Sequence, residues 1–360
     1  MKRLADICDI QYGYAFDSKC FTEDSSYPQL VRIRDVKRGY SETYYSGDYP
    51  EEYILSEGDL LIGMDGEFNI ARWKCSGALL NQRVCKLTTK VGTNEEYLRF
   101  AMLKSLKEIE QRTAFVTVKH LSVKELNKLE LDVPELTKQD KIADTLSRLE
   151  RVIEARKEEL EKLDNLIKAR FVELFGDPDN NEKSWDIDKM EHLCEVGSSK
   201  RIYQNEQSME GVPFLRISDL VNRIDTGSKK CDLYIPIEKF AELKEQGLVP
   251  RSGDILLTAR GTLGRCYIVQ SDDEFYFQDG MITWLSNYDR RITALYISYL
   301  FEMPGFRKQI DALQAGSTVA YMSISMTKKL NIMVPPIELQ NQFADFVKQV
   351  DKSKVIKLSN

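Results

Sequence analysis

No stretch of this 360-residue chain approaches the roughly 20 consecutive apolar residues that a bilayer-spanning helix requires. The amino terminus, MKRLADICDI, lacks an apolar run of signal-peptide length, so the expectation is a soluble protein that stays in the cytoplasm. Histidine is scarce, with only His120 and His192, a poor supply for metal ligation or imidazole-based acid–base chemistry. The cysteines (Cys8, Cys20, Cys75, Cys85, Cys194, Cys231 and Cys266) are odd in number and scattered, and none forms a C-x-x-C pair. That indicates neither zinc nor a redox motif and fits reduced thiols. There is no G-x-x-x-x-G-K-[ST] loop for ATP and no G-x-G strand-to-helix loop for a dinucleotide or methyl donor. Serine is nowhere patterned with histidine in the hydrolase manner. The lone G-x-x-G, Gly261–Gly264, reads as a turn. The chain is therefore expected to have no catalytic centre, no metal and no cofactor.

What is present is a duplication. Thr117–Asp144 (TVKHLSVKELNKLELDVPELTKQDKIAD) aligns with Thr318–Asp345 (TVAYMSISMTKKLNIMVPPIELQNQFAD) at an offset of 201 residues. Thr117/Thr318, Val118/Val319, Ser122/Ser323, Val133/Val334, Pro134/Pro335, Gln139/Gln340 and Asp144/Asp345 all coincide. Upstream, LVRIRDV (30–36) matches FLRISDL (214–220), and LSEGDLLI (55–62) matches VPRSGDIL (249–256). A period this long means a duplicated domain rather than a solenoid of small repeats. LVRIRDV, DLLIGM and DILLTA read as strands, whereas Glu95–Gln111 and Ala294–Ala312 have helical period. Each half is thus a mixed α/β module.

Between the halves the pattern changes. Ile142, Leu146, Leu149, Ile153, Leu160, Leu163, Ile167 and Leu174 recur at alternating steps of four and three, interrupted by Arg156 and Arg170. Thr137 is placed to cap the start, and Gly176 with Pro178 ends the helix. The second repeat restarts the seam at Phe343, Val347 and Val350, but Lys354 breaks it. On this pattern Leu160–Leu174 is left without cover and should dock a helical element of another subunit or of a second copy of the chain. The expected layout is 1–136, a first module; 137–175, a long spacer helix; 176–183, a linker; 184–336, a second module; and 337–360, a shorter second helix.

This layout resembles the specificity subunit of type I restriction–modification systems. Ala169–Pro178 (ARFVELFGDP), the LSEGDLLIGMDG and SGDILLTARGTLG turns, and the VPELTKQDKIAD and VPPIELQNQFAD helix starts are all family-like, and the likeness spans nearly the full chain. The resemblance implies an α/β (α+β) fold with two target-recognition domains, each reading half of a bipartite double-stranded DNA site. It implies long helices paired as an antiparallel coiled coil that holds methyltransferase subunits. Nuclease, translocase and methyl-transfer chemistry would lie in other subunits.

Charge argues mildly the other way. Residues 1–136 carry 19 Lys+Arg against 22 Asp+Glu, and 184–336 carry 18 against 20. A DNA face must then come from clustering, not from excess. Candidates are Arg32, Arg34, Lys37, Arg72, Gln82, Arg112 and Lys119 in the first module. In the second they are Arg216, Arg260, Thr262, Arg265, Gln278, Ser317 and Tyr321. Two other readings stay open on the residues alone: a protein-binding scaffold with duplicated modules, and an enzyme built from unfamiliar residues.

Overall fold

The computed structural model describes residues 1–66, 68–112, 120–312 and 320–359. Its contacts divide the chain into two units, Met1–Arg156 and Lys157–Asn360.

The first unit contains β1 (Lys2–Arg3), β2 (Cys8–Tyr12), β3 (Leu30–Val31), β4 (Leu60–Gly63), β5 (Asn69–Arg72), β6 (Ala78–Leu80), β7 (Val84–Thr89), α1 (Glu95–Arg112), β8 (Glu130–Leu131) and the start of α2 (Leu136–Phe175). Its central sheet is antiparallel, in the order β2-β7-β4-β5, while β1 pairs with β8 and β3 lies parallel to β6. The apolar run in β4 follows from burial on both faces. Leu60 and Ile62 face Leu98, Met102 and Leu106 of α1, and Leu61 faces Val31, Trp73 and Leu80.

The second unit repeats this plan. It contains β9 (Asp186–Lys189), β10 (Glu195–Gly197), β11 (Val212–Leu215), α3 (Ile217–Thr226), β12 (Ile255–Thr258), β13 (Cys266–Ile268), β14 (Tyr276–Phe277), β15 (Ile282–Ser286), α4 (Ala294–Glu302), α5 (Pro304–Ala312), β16 (Asn331–Val334) and α6 (Ile337–Ser359). The sheet order is β10-β15-β12-β13, β9 pairs with β16, and β11 lies parallel to β14. Ile255 and Leu257 pack towards the helices and Leu256 towards Leu215 and Phe277.

Two sequence expectations need correction. LVRIRDV is not one strand. Only Leu30–Val31 pairs, because the Asp35 carboxylate accepts the Arg32 N–H at 3.0 Å and turns the chain. In FLRISDL, Asp219 accepts the Arg216 N–H at 2.9 Å and opens α3 instead. An aspartate three residues on satisfies a backbone N–H that a ladder would otherwise use.

The second correction concerns the long helix. It begins at Leu136, so Thr137 lies inside its first turn, while Gly176 ends it at φ +80° with its N–H on the Val172 carbonyl. In its second half the buried face is Ile167, Phe171 and Phe175, recurring every four residues, with Leu163 and Leu174 packed against the same core. Tyr296 stacks on Phe171 at 5.4 Å, and Phe343 of α6 meets Phe171 at 5.5 Å. The stripe expected to be uncovered is therefore covered by the second unit itself. Phe343, Val347 and Val350 are buried as the pattern required. With Phe343 beside Phe175 and Lys354 bonded to Asp164 at 2.7 Å, α6 runs antiparallel to α2. In the first half of α2, Ile142 and Leu146 are half-buried, as is Leu160 in the second half. Leu149, Val152 and Ile153 are all more than half exposed.

The shared glutamine of the two repeats has a structural task. Gln139 is 1 % exposed; its amide donates to the Gly92 and Pro134 carbonyls and its oxygen accepts the Asn94 N–H. Gln340, also 1 % exposed, donates to Arg291 and Pro335 and accepts from Thr293. Each ties the start of a long helix to the loop ahead of α1 or α4.

Candidate nucleic-acid interface

The β3–turn segment and the β6–β7 connection bring several candidates together in the first unit. Arg32 and Arg34 are exposed, and the bond from the Arg32 backbone to Asp35 fixes the turn that carries them. Arg32 lines two adjoining hollows of about 690 and 360 Å³ that share Phe21. Arg34 lines the larger, and Gln82 and Arg83 line the smaller. Lys37 is exposed on the same turn but lines neither hollow. Side chains that donate hydrogen bonds beside aromatic rings are the equipment needed to read nucleic-acid edges.

Arg72 does other work. Its guanidinium bonds Glu95 at 2.6 Å, Glu96 at 2.5 Å and the Gly58 carbonyl at 2.8 Å. Burial works against its charge, but the two glutamates outweigh it and hold its pKa above the usual value. Glu96 also bonds Arg99, which grips Glu150 of α2 through both oxygens. The network clamps sheet, α1 and α2 together. Only the backbone of Arg112 is described, and Lys119 and Ser317 lie outside the described residues.

In the second unit, Arg260 and Thr262 are exposed on the turn whose glycines, Gly261 and Gly264, sit at φ +73° and +67°. Tyr321, 41 % exposed, is bridged to Arg260 along the backbone. Arg216 is held by Asp219 and Asp232, and Arg265 by Asp225 at 2.5 Å, so both guanidinia are engaged locally. Gln278 is half-buried and follows β14, its N–H on the Leu215 carbonyl.

Sequence reasoning missed Asp65, Arg83 and His120. The Asp65 carboxylate is buried and accepts hydrogen bonds from Arg83 Nη1 and His120 Nδ1. Burial alone would raise its pKa, but these two donors hold it below the ordinary carboxylate value. A signal existed: Asp65 follows DLLIGM where Arg260 follows DILLTA, and His120 stands 201 residues before Tyr321. Among the described residues no group of histidine, cysteine or carboxylate side chains is arranged to hold a metal ion. All seven cysteines are free thiols, and burial pushes Cys8, Cys85 and Cys194 up to about 12.

The family model for the type I restriction modification DNA specificity domain matches twice, over residues 1–165 and 182–359. The chain belongs to the type I restriction–modification DNA specificity family. It is 28 % identical to the type I restriction enzyme EcoBI specificity subunit of Escherichia coli, over 97 % of this chain and 78 % of that protein. It is 24 % identical to the MjaVIII specificity subunit of Methanocaldococcus jannaschii, over 85 % of this chain and 75 % of the relative. The crystal structure of the type I system S subunit from M. genitalium has the same fold, with a TM-score of 0.58 at 14 % identity, covering 99 % and 90 % of the two chains. As a specificity subunit the chain carries two recognition domains, one in each unit. No helix among its described residues is long and apolar enough to cross a membrane.

Proposed function

We propose that each unit lays the face described above against one half of a bipartite double-stranded DNA site, and that the chain catalyses nothing itself. Methyl transfer, translocation and cleavage then belong to methyltransferase and restriction subunits bound to it. The observation that carries this reading is the gathering of Arg32, Arg34, Gln82 and Arg83 around two adjoining hollows, beside a four-stranded sheet whose order the second unit repeats. With a net charge of −6 the chain alone should hold DNA weakly, its partners sharing the phosphate contacts. A protein-binding scaffold is not favoured, because charged and polar side chains (Arg32, Arg34, Gln82 and Arg83, with Glu23 and Glu42) line these hollows where a scaffold would present an apolar patch.

The helices are the expected grip for partners, and the exposed trio Leu149, Val152 and Ile153 is the surface offered. Spaced i, i+3, i+4, these side chains suit a helical element of the methyltransferase subunit. Leu149→Glu with Ile153→Glu should abolish co-purification with that subunit; retention of the subunit would remove the trio from the reading.

The direct test of function is co-expression with a cognate methyltransferase subunit followed by methylome sequencing. A methylated motif of two half-sites separated by unread bases is expected. A continuous motif, or no motif, would refute the reading.

A further inference from the structure

At one corner the two units match in backbone and differ in chemistry. In the first, the Met64 N–H bonds the Arg83 carbonyl at 2.9 Å and the Leu121 N–H bonds the Met64 carbonyl at 2.7 Å. In the second, the Ala259 N–H bonds the Met281 carbonyl at 2.9 Å and the Met322 N–H bonds the Ala259 carbonyl at 2.9 Å. These bonds put Asp65 in register with Arg260, Arg83 with Met281, and His120 with Tyr321. Backbone bridges join Asp65 to His120 and Arg260 to Tyr321 in the same way.

The side chains then diverge. In the first unit a buried carboxylate holds two donors whose side chains stay open to solvent, Arg83 at 60 % and His120 at 55 %. In the second, Arg260 Nη1 lies 3.8 Å from Met281 Sδ, and among the described residues no carboxylate reaches it.

We propose that Arg83 reads a guanine in the first unit's half-site, and that Asp65, steadied by His120, is the residue that positions it. This deepens the function proposed above and rests on it. The geometry supplies three reasons. A guanidinium with one nitrogen pinned to a carboxylate keeps its remaining N–H groups in a fixed plane, and that fork matches the O6 and N7 acceptors of guanine in the major groove. The carboxylate oxygens already accept hydrogen bonds from the two donors, so the acid does not stand bare towards phosphate. Arg83 also occupies the left-handed region at φ +68°, a conformation that costs an L-residue and persists where the surroundings impose it. In the second unit the left-handed residue falls one place earlier in the turn, at Gly280 (φ +69°), and Met281, in register with Arg83, is not left-handed. Arg83 also lines the 360 Å³ hollow together with Arg32 and Gln82. Because the second unit carries its arginine at the Asp65 position, the two half-sites should differ in sequence.

The test uses the full chain co-expressed with its methyltransferase subunit, comparing wild type, Arg83→Gly and Asp65→Asn by methylome sequencing and by thermal melting. Glycine relieves the left-handed backbone, so Arg83→Gly should melt no lower than wild type. In the methylated motif it should lose the identity of one guanine in the first unit's half-site and leave the other half-site unchanged. With purified complex, the preference for that guanine over other bases should fall from about tenfold or more to none. Asp65→Asn should blur the same position to a smaller degree, a result that a merely structural role would not give. An Arg83→Gly motif identical to wild type, or one degraded in both half-sites, would overturn the assignment while leaving the bipartite reading intact. A wild-type chain that specifies no bipartite motif would overturn both.

Discussion

An aspartate stands just ahead of the central strand in both units, and its partner differs between them. Asp59 accepts a hydrogen bond from Lys86 Nζ at 2.9 Å; Asp254 accepts the indole N–H of Trp284 at 2.8 Å. Both also cap the preceding turn, on the N–H of Ser56 and of Arg251 at 2.8 Å. The first carboxylate is neutralised by a cation. The second is not, and burial raises its pKa despite the Arg251 backbone and Trp284 donors. The lesson is that the duplicated framework specifies a donor at this place and leaves its chemistry free. The same holds at the Asp65/Arg260 corner, where backbone bonds repeat and side chains diverge.

The largest expected effect tests an interaction of the second unit. Arg223 and Asp273, with side chains 4 % and 0 % exposed, form a buried ion pair at 3.1 Å, with the guanidinium over Phe275. Arg223→Ala leaves a buried carboxylate with less compensation and should cost about 3 kcal/mol or more in urea unfolding. A loss under 1 kcal/mol would mean that Lys229, also within 3.1 Å of Asp273, suffices alone.

Next in size is a change made identically in both units. Gln139→Leu and Gln340→Leu each leave one half-buried N–H and two carbonyls without their side-chain partner, and each should cost about 2 kcal/mol. Clearly unequal losses would break the equivalence of the two helix starts. Smaller again, Lys86→Met should cost about 1.5 kcal/mol after discounting partial exposure, and Trp284→Phe about 1 kcal/mol. The reverse order would show that the indole, not the ammonium, is the better partner.

Acid titration separates two aspartates of the second unit by sign. Burial works to raise the Asp273 carboxyl, but hydrogen bonds from Tyr267, the Gln270 backbone and Lys229, with the charge of Arg223, hold it below 3.8. Its contribution is complete above the unfolded value and disappears as pH falls through the lower native one. Asp254 is raised, so protonating it as pH falls through its native value relieves a cost and adds stability. Wild type should gain slightly between neutrality and the ordinary carboxylate range, then lose stability below it. Asp254→Asn should remove the gain and keep the loss; a variant that still shows the gain would assign it elsewhere.

Much of this was legible in the sequence because duplication writes the framework twice. The offset of 201 located the helix starts, and DLLIGM and DILLTA gave the central strands. The turn after Leu30–Val31 was not legible as such, because apolar alternation continues through Ile33 while a single aspartate diverts the backbone. Arg72 looked free because Glu95 and Glu96 lie more than 20 residues downstream. Heptad spacing misplaced the bare stripe on α2, since Tyr296 covers Phe171 and Phe175 from outside the helix pair. The Asp65–His120 contact spans 55 residues, and only the comparison of the two units exposes it.

The central claim is that each unit reads its own half-site. The most direct measurement exchanges residues 1–136 for the corresponding segment of a relative with a known bipartite motif, then sequences the methylome of cells that also make the methyltransferase subunit. One half of the motif should change to that of the donor while the other stays as it was. A motif altered in both halves, or in neither, would contradict the account.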